Sequence, residues 1–387
     1  MTAYSLCLFL FCLFTLPLIG VWLSGQLVLS FLEFPPRPIA GSLSDVSWVL
    51  FFASSLGILG MLTPFVLRLL TFRPAAQHHS TQQTFSLWGW ASMASLLIFW
   101  ILAWTRFSWM GEFQLHTFTP LWLSYIVLVN ALTDRRTQHC LLRDYPTCFL
   151  GLFPLSAMYW WVFEYLNRFA QNWHYVPQVD VDGLTYFLVG SLSFSTVLPA
   201  VYCTYEWLQS FPRLSQPFQS WRAVPVRSHE TWRWFFVALA CLGLIGIGLW
   251  PKLLYPLIWL SPLLLLLGLQ KSQNRDAWVR MLGRGDWRPI VIPSMAGLLC
   301  GLLWELWNSQ SLAHWEYSIP YLHAYQIFEM PVLGYAGYVP FGLACVICAQ
   351  LLATSGIWKS SREKLSRKKT VSLKMAWQTP WHHTKNI

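Results

Sequence analysis

Apolar runs long enough to cross roughly 30 Å of hydrocarbon, about 17–25 residues each, recur along the whole chain. Backbone polar groups cannot go unsatisfied in lipid, so such runs can fold only as a bundle of membrane-crossing helices. Ten runs are legible, at about 4–24, 47–70, 85–104, 117–133, 147–166, 184–208, 233–250, 252–270, 290–308 and 336–357. Trp250-Pro251-Lys252 separates the seventh from the eighth. Only 11% of residues are charged, against about 25% in an ordinary soluble chain. The first run has no basic segment before it and no small-x-small cleavage site, so it is expected as a retained helix. The fold class read from this is an all-α membrane protein of about ten transmembrane helices.

The formal net charge of +10 invites a nucleic-acid reading, but its distribution argues for a membrane. With the even-numbered connections and the C-terminal tail on one side, only Arg37, Arg106, Arg168 and Lys252 of the 26 Lys and Arg fall on the other. This positive-inside bias predicts that both termini are cytoplasmic. The basic tail, 358–387, is expected to lie on anionic lipid headgroups. Lipid bilayer is thus the expected partner, and nucleic acid is not. No sequence feature implies a protein partner or a cofactor. Most of the nine cysteines, among them Cys7, Cys12, Cys241, Cys300, Cys345 and Cys348, lie inside apolar runs and read as small buried hydrophobes.

A second pattern lies on top of the spans. Residues 163–177 read FEYLNRFAQNWHYVP and residues 304–320 read WELWNSQSLAHWEYSIP. Both hold Glu-x-x-Asn at the end of an apolar run, then Trp-x-Tyr, then proline. Glu164 matches Glu305, Asn167 matches Asn308, Trp173 matches Trp315 and Tyr175 matches Tyr317. Further matches keep the same order: Trp88-Gly-Trp90 with Trp232-Arg-Trp234, PLWLS at 120–124 with PLIWLS at 256–261, and Pro199 with Pro340. The pattern predicts two parallel four-helix repeats, 85–210 and 231–357. Two extra helices in 1–75 precede them, a cytoplasmic linker at 211–230 joins them, and the tail follows.

The repeated motif is the candidate ligand site. Glu164 and Asn167 share one helix face, as do Glu305 and Asn308. Intramembrane carboxyl groups are costly and are usually functional. For Glu164, Arg168 at i+4 offers an ion pair, whereas Glu305 has no basic neighbour in sequence. The aromatic pairs Trp173/Tyr175 and Trp315/Tyr317 suit either ligand contact or an interfacial belt. The asparagines suit either a site or left-handed helix caps. The stretch 321–343, with Glu329, Pro331 and four spaced Gly or Pro, suits a broken or re-entrant helix lining a cavity. Glu329 joins the candidate set on that ground. His174 and His314 recur at slightly different offsets, and no spacing enforces a metal set.

As a whole, residues 85–350 resemble a set of bacterial inner-membrane proteins. These carry FE-x-x-N…NW-x-Y in one half and WE-x-x-N…W-x-Y plus PFG in the other. The resemblance implies a bacterial inner membrane and brings no activity with it. The expected function is transport, or binding of a solute or lipid, at an extracytoplasmic site between the repeats. The alternatives are a membrane-embedded enzyme acting on a lipid or isoprenoid-linked substrate, and a structural subunit of a membrane complex.

Overall fold

The computed structural model describes residues 2–36, 44–73, 84–177, 181–224, 229–270 and 272–353. The tail, Arg37 and Asp180 lie outside the described residues. Within them the chain is built from α1 (Ala3–Leu23), α2 (Trp48–Thr71), α3 (Leu87–Trp104), α4 (Phe118–Thr137), α5 (Pro146–Ala170), α6 (Gly183–Phe194) and α7 (Val197–Gln209). Then come α8 (His229–Leu249), α9 (Leu257–Leu269), α10 (Ser272–Gly283), α11 (Arg288–Asn308) and α12 (Tyr338–Ala353). Two short two-stranded ribbons complete it. One pairs β1 (Trp173–Val176) with β2 (His314–Tyr317), the other β3 (Gln326–Ile327) with β4 (Met330–Pro331).

Local chemistry starts these helices. Thr2, Ser47, Ser86 and Asp182 accept a backbone N–H of the first turn of α1, α2, α3 and α6. Asp182 also accepts the Thr185 hydroxyl at 2.6 Å, and those bonds hold its exposed carboxyl below the usual range. Pro146 opens α5, where a missing N–H costs least.

Among the described residues, eight of the ten expected spans are helices or broken helices long and apolar enough to cross a membrane. The two that fall short are α4 and α9. The last turns of α4 carry Asn130, Asp134, Arg135 and Arg136. In the run 252–270, a single turn at Pro251–Leu254 precedes α9, whose 13 residues reach only about 20 Å at 1.5 Å per residue.

Two spans are interrupted. Ser195 and Thr196 separate α6 from α7, and the Ser156 hydroxyl of α5 repairs the gap. It donates to the Phe194 carbonyl at 2.6 Å and accepts from Leu198 N–H at 2.9 Å, as buried broken backbone requires. The stretch 321–343 is not a re-entrant helix. The β3–β4 hairpin leads into a 3-10 turn at Val332–Gly337 and then α12. Pro199 and Pro340 are each the third residue of the helix that follows the break. Residues 212–224, expected as an exposed linker, are anchored instead: Pro217 and Phe218 are buried, and Trp221 N–H donates to Gly285 O at 2.8 Å.

The centre of the bundle is the contact of α7 with α12. Around it, α4, α5 and α11 pack on α7, while α5, α9 and α11 pack on α12. On the flanks, α3 packs on α4 and α8 packs on α9, with α1 against α8. Glycine permits the closest crossings. A Cβ at Gly297 would overlap Gly342 and the Tyr338 carbonyl, and a Cβ at Gly20 would overlap the Ile245 carbonyl of α8.

Candidate functional site

The carboxyl groups of Glu164 and Glu305 lie near the C-terminal ends of α5 and α11, both buried, Glu305 at 0% exposure. Each helix then turns into a strand, and the two strands pair antiparallel: Trp173 faces Tyr317, His174 faces Glu316 and Tyr175 faces Trp315. The register treats the two motif copies equivalently, each Trp standing opposite the other copy's Tyr. It also brings the C-terminal ends of α5 and α11 to the same end of the molecule.

The asparagines make this ribbon possible. Asn167 Nδ2 donates to Trp173 O at 2.8 Å, and its Oδ1 accepts Asn172 N–H at 2.8 Å and Trp173 N–H at 3.4 Å. Asn308 Nδ2 donates to Trp315 O at 2.7 Å, and its Oδ1 accepts Trp315 N–H at 2.8 Å. Each side chain therefore acts as one rung of a β-ladder, clamping the tryptophan backbone. Neither asparagine is a left-handed cap; after α5 that role falls to Gln171.

With the strand clamped, alternate residues of the ribbon turn down onto the glutamates. Glu164 Oε1 accepts Tyr175 OH at 2.6 Å, Trp160 Nε1–H at 2.9 Å and Trp173 Nε1–H at 3.1 Å. Glu305 Oε1 accepts Tyr338 OH at 2.6 Å and Tyr317 OH at 2.7 Å, while Trp315 Nε1–H donates to the Tyr317 oxygen at 2.8 Å. Trp173, Tyr175 and Tyr317 are therefore hydrogen-bond donors to the carboxyl groups, and Trp315 supports Tyr317. The ion pair that Arg168 offers Glu164 at i+4 does not form. The Arg168 guanidinium turns instead to the carbonyls of Phe31 and Glu33, at 3.1 and 2.7 Å.

The chain matches no family model, no curated protein and no solved structure.

Glu305 Oε2 is buried and has no hydrogen-bond partner. Among the described residues, no Lys, Arg or His forms an ion pair with Glu305 or Glu164. The opposite face of the ribbon is polar and half-exposed. There Glu316 meets His174 Nε2 at 3.3 Å and His314 Nε2 at 3.4 Å. Among the described residues, no group of three or more His, Cys, Asp or Glu is arranged to hold a metal ion.

Trp173 is buried beside Glu164, and Trp315 is part-buried. An open groove lies elsewhere, between α3 and α4, lined by Trp88, Ser92, Ser95, Leu123 and Ser124. Glu329 is part-buried in the two-residue turn between β3 and β4, and no hydrogen bond links it to the cage. Two residues absent from the motif matter most, Trp160 and Tyr338. Trp160 lies one turn before Glu164 on α5, a spacing the sequence displays. Tyr338 comes from another span, and no local pattern points to it.

Proposed function

We propose that this protein is a duplicated multi-pass membrane protein that binds and carries a small organic cation at Glu305. Support for the duplication comes from helix pairs that keep one sequence offset: Tyr159 with Cys300, Glu164 with Glu305, Asn167 with Asn308, Pro199 with Pro340 and Thr204 with Cys345. Their contacts also exchange under that offset. Cys345 Sγ lies 4.0 Å from Tyr159 OH, and Cys300 Sγ lies 3.4 Å from Thr204 Oγ1. The packing of α3, α4, α5 and α7 likewise maps onto that of α8, α9, α11 and α12. Two parallel four-helix units, 85–210 and 231–357, follow on this reading. Short α4 and α9 then complete ten crossings, with both termini cytoplasmic in a bacterial inner membrane, the setting that the family resemblance also implies.

One observation carries the ligand reading: a fully buried carboxyl oxygen, Oε2 of Glu305, with neither a donor nor a cation beside it. Intramembrane carboxyl groups of this kind mark binding sites and ion paths. The surrounding groups narrow the choice. Trp304 stacks on Tyr338 at 6.1 Å, and Trp315, Tyr317 and Tyr338 supply donors rather than oxygen ligands. Hard metal ions need several oxygens, whereas aromatic faces beside one carboxyl group suit an ammonium ion.

The test is a thermal-shift titration of purified protein with tetramethylammonium and a primary alkylamine, against NaCl at equal ionic strength. Stabilisation by the amines is expected in wild type and in Glu164→Gln, and not in Glu305→Gln. Amines that stabilise no better than NaCl would refute the reading.

A further inference from the structure

The two cages obtain their extra donor in opposite ways. In the first, Trp160 of α5 donates to Glu164 from the same helix. At the sequence offset that relates the copies, the counterpart of Trp160 is Gly301, and the counterpart of Tyr338 is Val197. The exchange is complementary. A Cβ on Gly301 would overlap the Tyr338 ring, so glycine at 301 makes room for a phenol arriving from α12. Val197 has no donor to offer, so the first cage has nothing comparable.

This exchange ties the second carboxyl group to a separate span. Tyr338 is the first residue of α12, directly after the broken stretch. Its start is tied to α2 by Ser47 N–H to Tyr321 O at 3.0 Å and to Ile319 O by His323 Nδ1 at 3.3 Å, but residues 326–337 are joined to the rest of the stretch by few bonds: Val332 N–H to Tyr325 O at 2.8 Å, Tyr335 OH to Ile327 O at 3.0 Å and the short β3–β4 ladder. It also stores backbone strain. Tyr321, Tyr325 and Phe328 have φ of 63°, 54° and 56° without being glycine, a region that bulky residues rarely adopt. By contrast, the β1–β2 ribbon above both cages is clamped by two asparagines. Of the two covers over Glu305, the broken stretch is the one least held.

We propose that Tyr338, admitted by Gly301, is the positioning residue of the second cage. Its hydroxyl on Glu305 holds residues 326–338 closed, and a cation that reaches Glu305 displaces it. The proposal rests on the cation-binding reading for its ligand, but not for its mechanical part.

The experiment is hydrogen–deuterium exchange of the detergent-purified full chain, combined with tetramethylammonium titration. Losing one buried hydrogen bond to a carboxyl group should speed exchange across Gln326–Gly337 by about ten- to a hundredfold in Tyr338→Phe. The ribbon peptides 173–176 and 314–317 should keep their wild-type rates. Gly301→Ala should act in the same direction, and Trp160→Phe should leave 326–337 unchanged. Tyr338→Phe should also bind tetramethylammonium several-fold more tightly, because a competing hydroxyl is gone; a residue that only supported the fold would weaken binding when changed. Unchanged exchange in Tyr338→Phe, or equal acceleration in Trp160→Phe, would overturn the proposal. So would weaker amine binding in Tyr338→Phe. Faster exchange in Tyr338→Phe with no amine binding by wild type would uphold the mechanical coupling and sink only the cation reading.

Discussion

Replacing Asn308 by alanine tests whether the repeated asparagine is a clamp or a ligand contact. Asn308 is 3% exposed and holds both backbone groups of Trp315, at 2.7 and 2.8 Å. Alanine removes both bonds and leaves a backbone N–H and a C=O without partners. Each orphaned buried group costs about 1–3 kcal/mol. Trp315 is only part-buried, so some rehydration offsets this, and a loss of about 2–4 kcal/mol is expected. At roughly 2 °C per kcal/mol for a chain of this size, the apparent Tm should fall by about 4–8 °C. Asn308→Asp is the sharper variant. It keeps Oδ1 but sets an oxygen against the Trp315 carbonyl, so it should be at least as destabilising as alanine. The assay is thermal unfolding in detergent, followed by the fluorescence of the 25 tryptophans, with Asn167→Ala and Asn167→Asp alongside. If Asn308→Asp and Asn308→Ala both unfold at the wild-type temperature, the ribbon does not depend on the clamp and the account of how Trp315 and Tyr317 reach Glu305 is wrong.

Other expectations follow from the same geometry. Gly297→Ala at the α11–α12 crossing should cost about 1–3 kcal/mol by overpacking, read as a lower apparent Tm; a neutral result would show that the two helices can separate freely. Cys140 lies between α4 and α5, where burial pushes its thiol up to about 12. It should stay unmodified by maleimide at pH 8 and react once detergent denatures the chain; prompt labelling of the folded protein would contradict that burial. Reporter fusions at Arg136 and Arg280 should read cytoplasmic and one near His314 extracytoplasmic, and the reverse pattern would overturn the proposed topology.

Hydropathy located all the long helices because each is a local property of contiguous residues. It did not show how short α4 and α9 are, where Asp134 to Arg136 and the Pro251–Pro256 breaks interrupt the continuous apolar length. The Glu-x-x-Asn and Trp-x-Tyr elements were legible as a repeated set, but what each residue does was not. Seeing Asn167 and Asn308 as clamps requires knowing that the helix reverses into a strand. Seeing Trp173 and Tyr317 as neighbours requires a pairing between residues far apart in sequence, and no periodicity encodes it. The same limit hid Tyr338. Its bond to Glu305 depends on a crossing set by Gly297, Gly301 and Gly342, which read singly as ordinary small residues. Arg168 misled for the opposite reason: i+4 spacing permits an ion pair with Glu164, but the carbonyls of Phe31 and Glu33 hold the guanidinium instead.

The β1–β2 ribbon works by parity. Its odd-numbered aromatics meet the carboxyl groups, and its even-numbered His174 and Glu316 face away. Slipping β1 by one residue against β2 would turn that strand over, pulling Trp173 and Tyr175 off Glu164 and presenting His174 in their place. Because every rung joins one copy to the other, the slip would also mispair Trp315 and Tyr317 and disturb the cage of Glu305, which lies in the other half of the chain. The connection before each strand is freer: Trp173 follows Asn167 by six residues and Trp315 follows Asn308 by seven, under the same clamp. The loops on either side can therefore change length independently, while these eight strand residues can drift only as a set, each half constrained by a partner more than a hundred positions away.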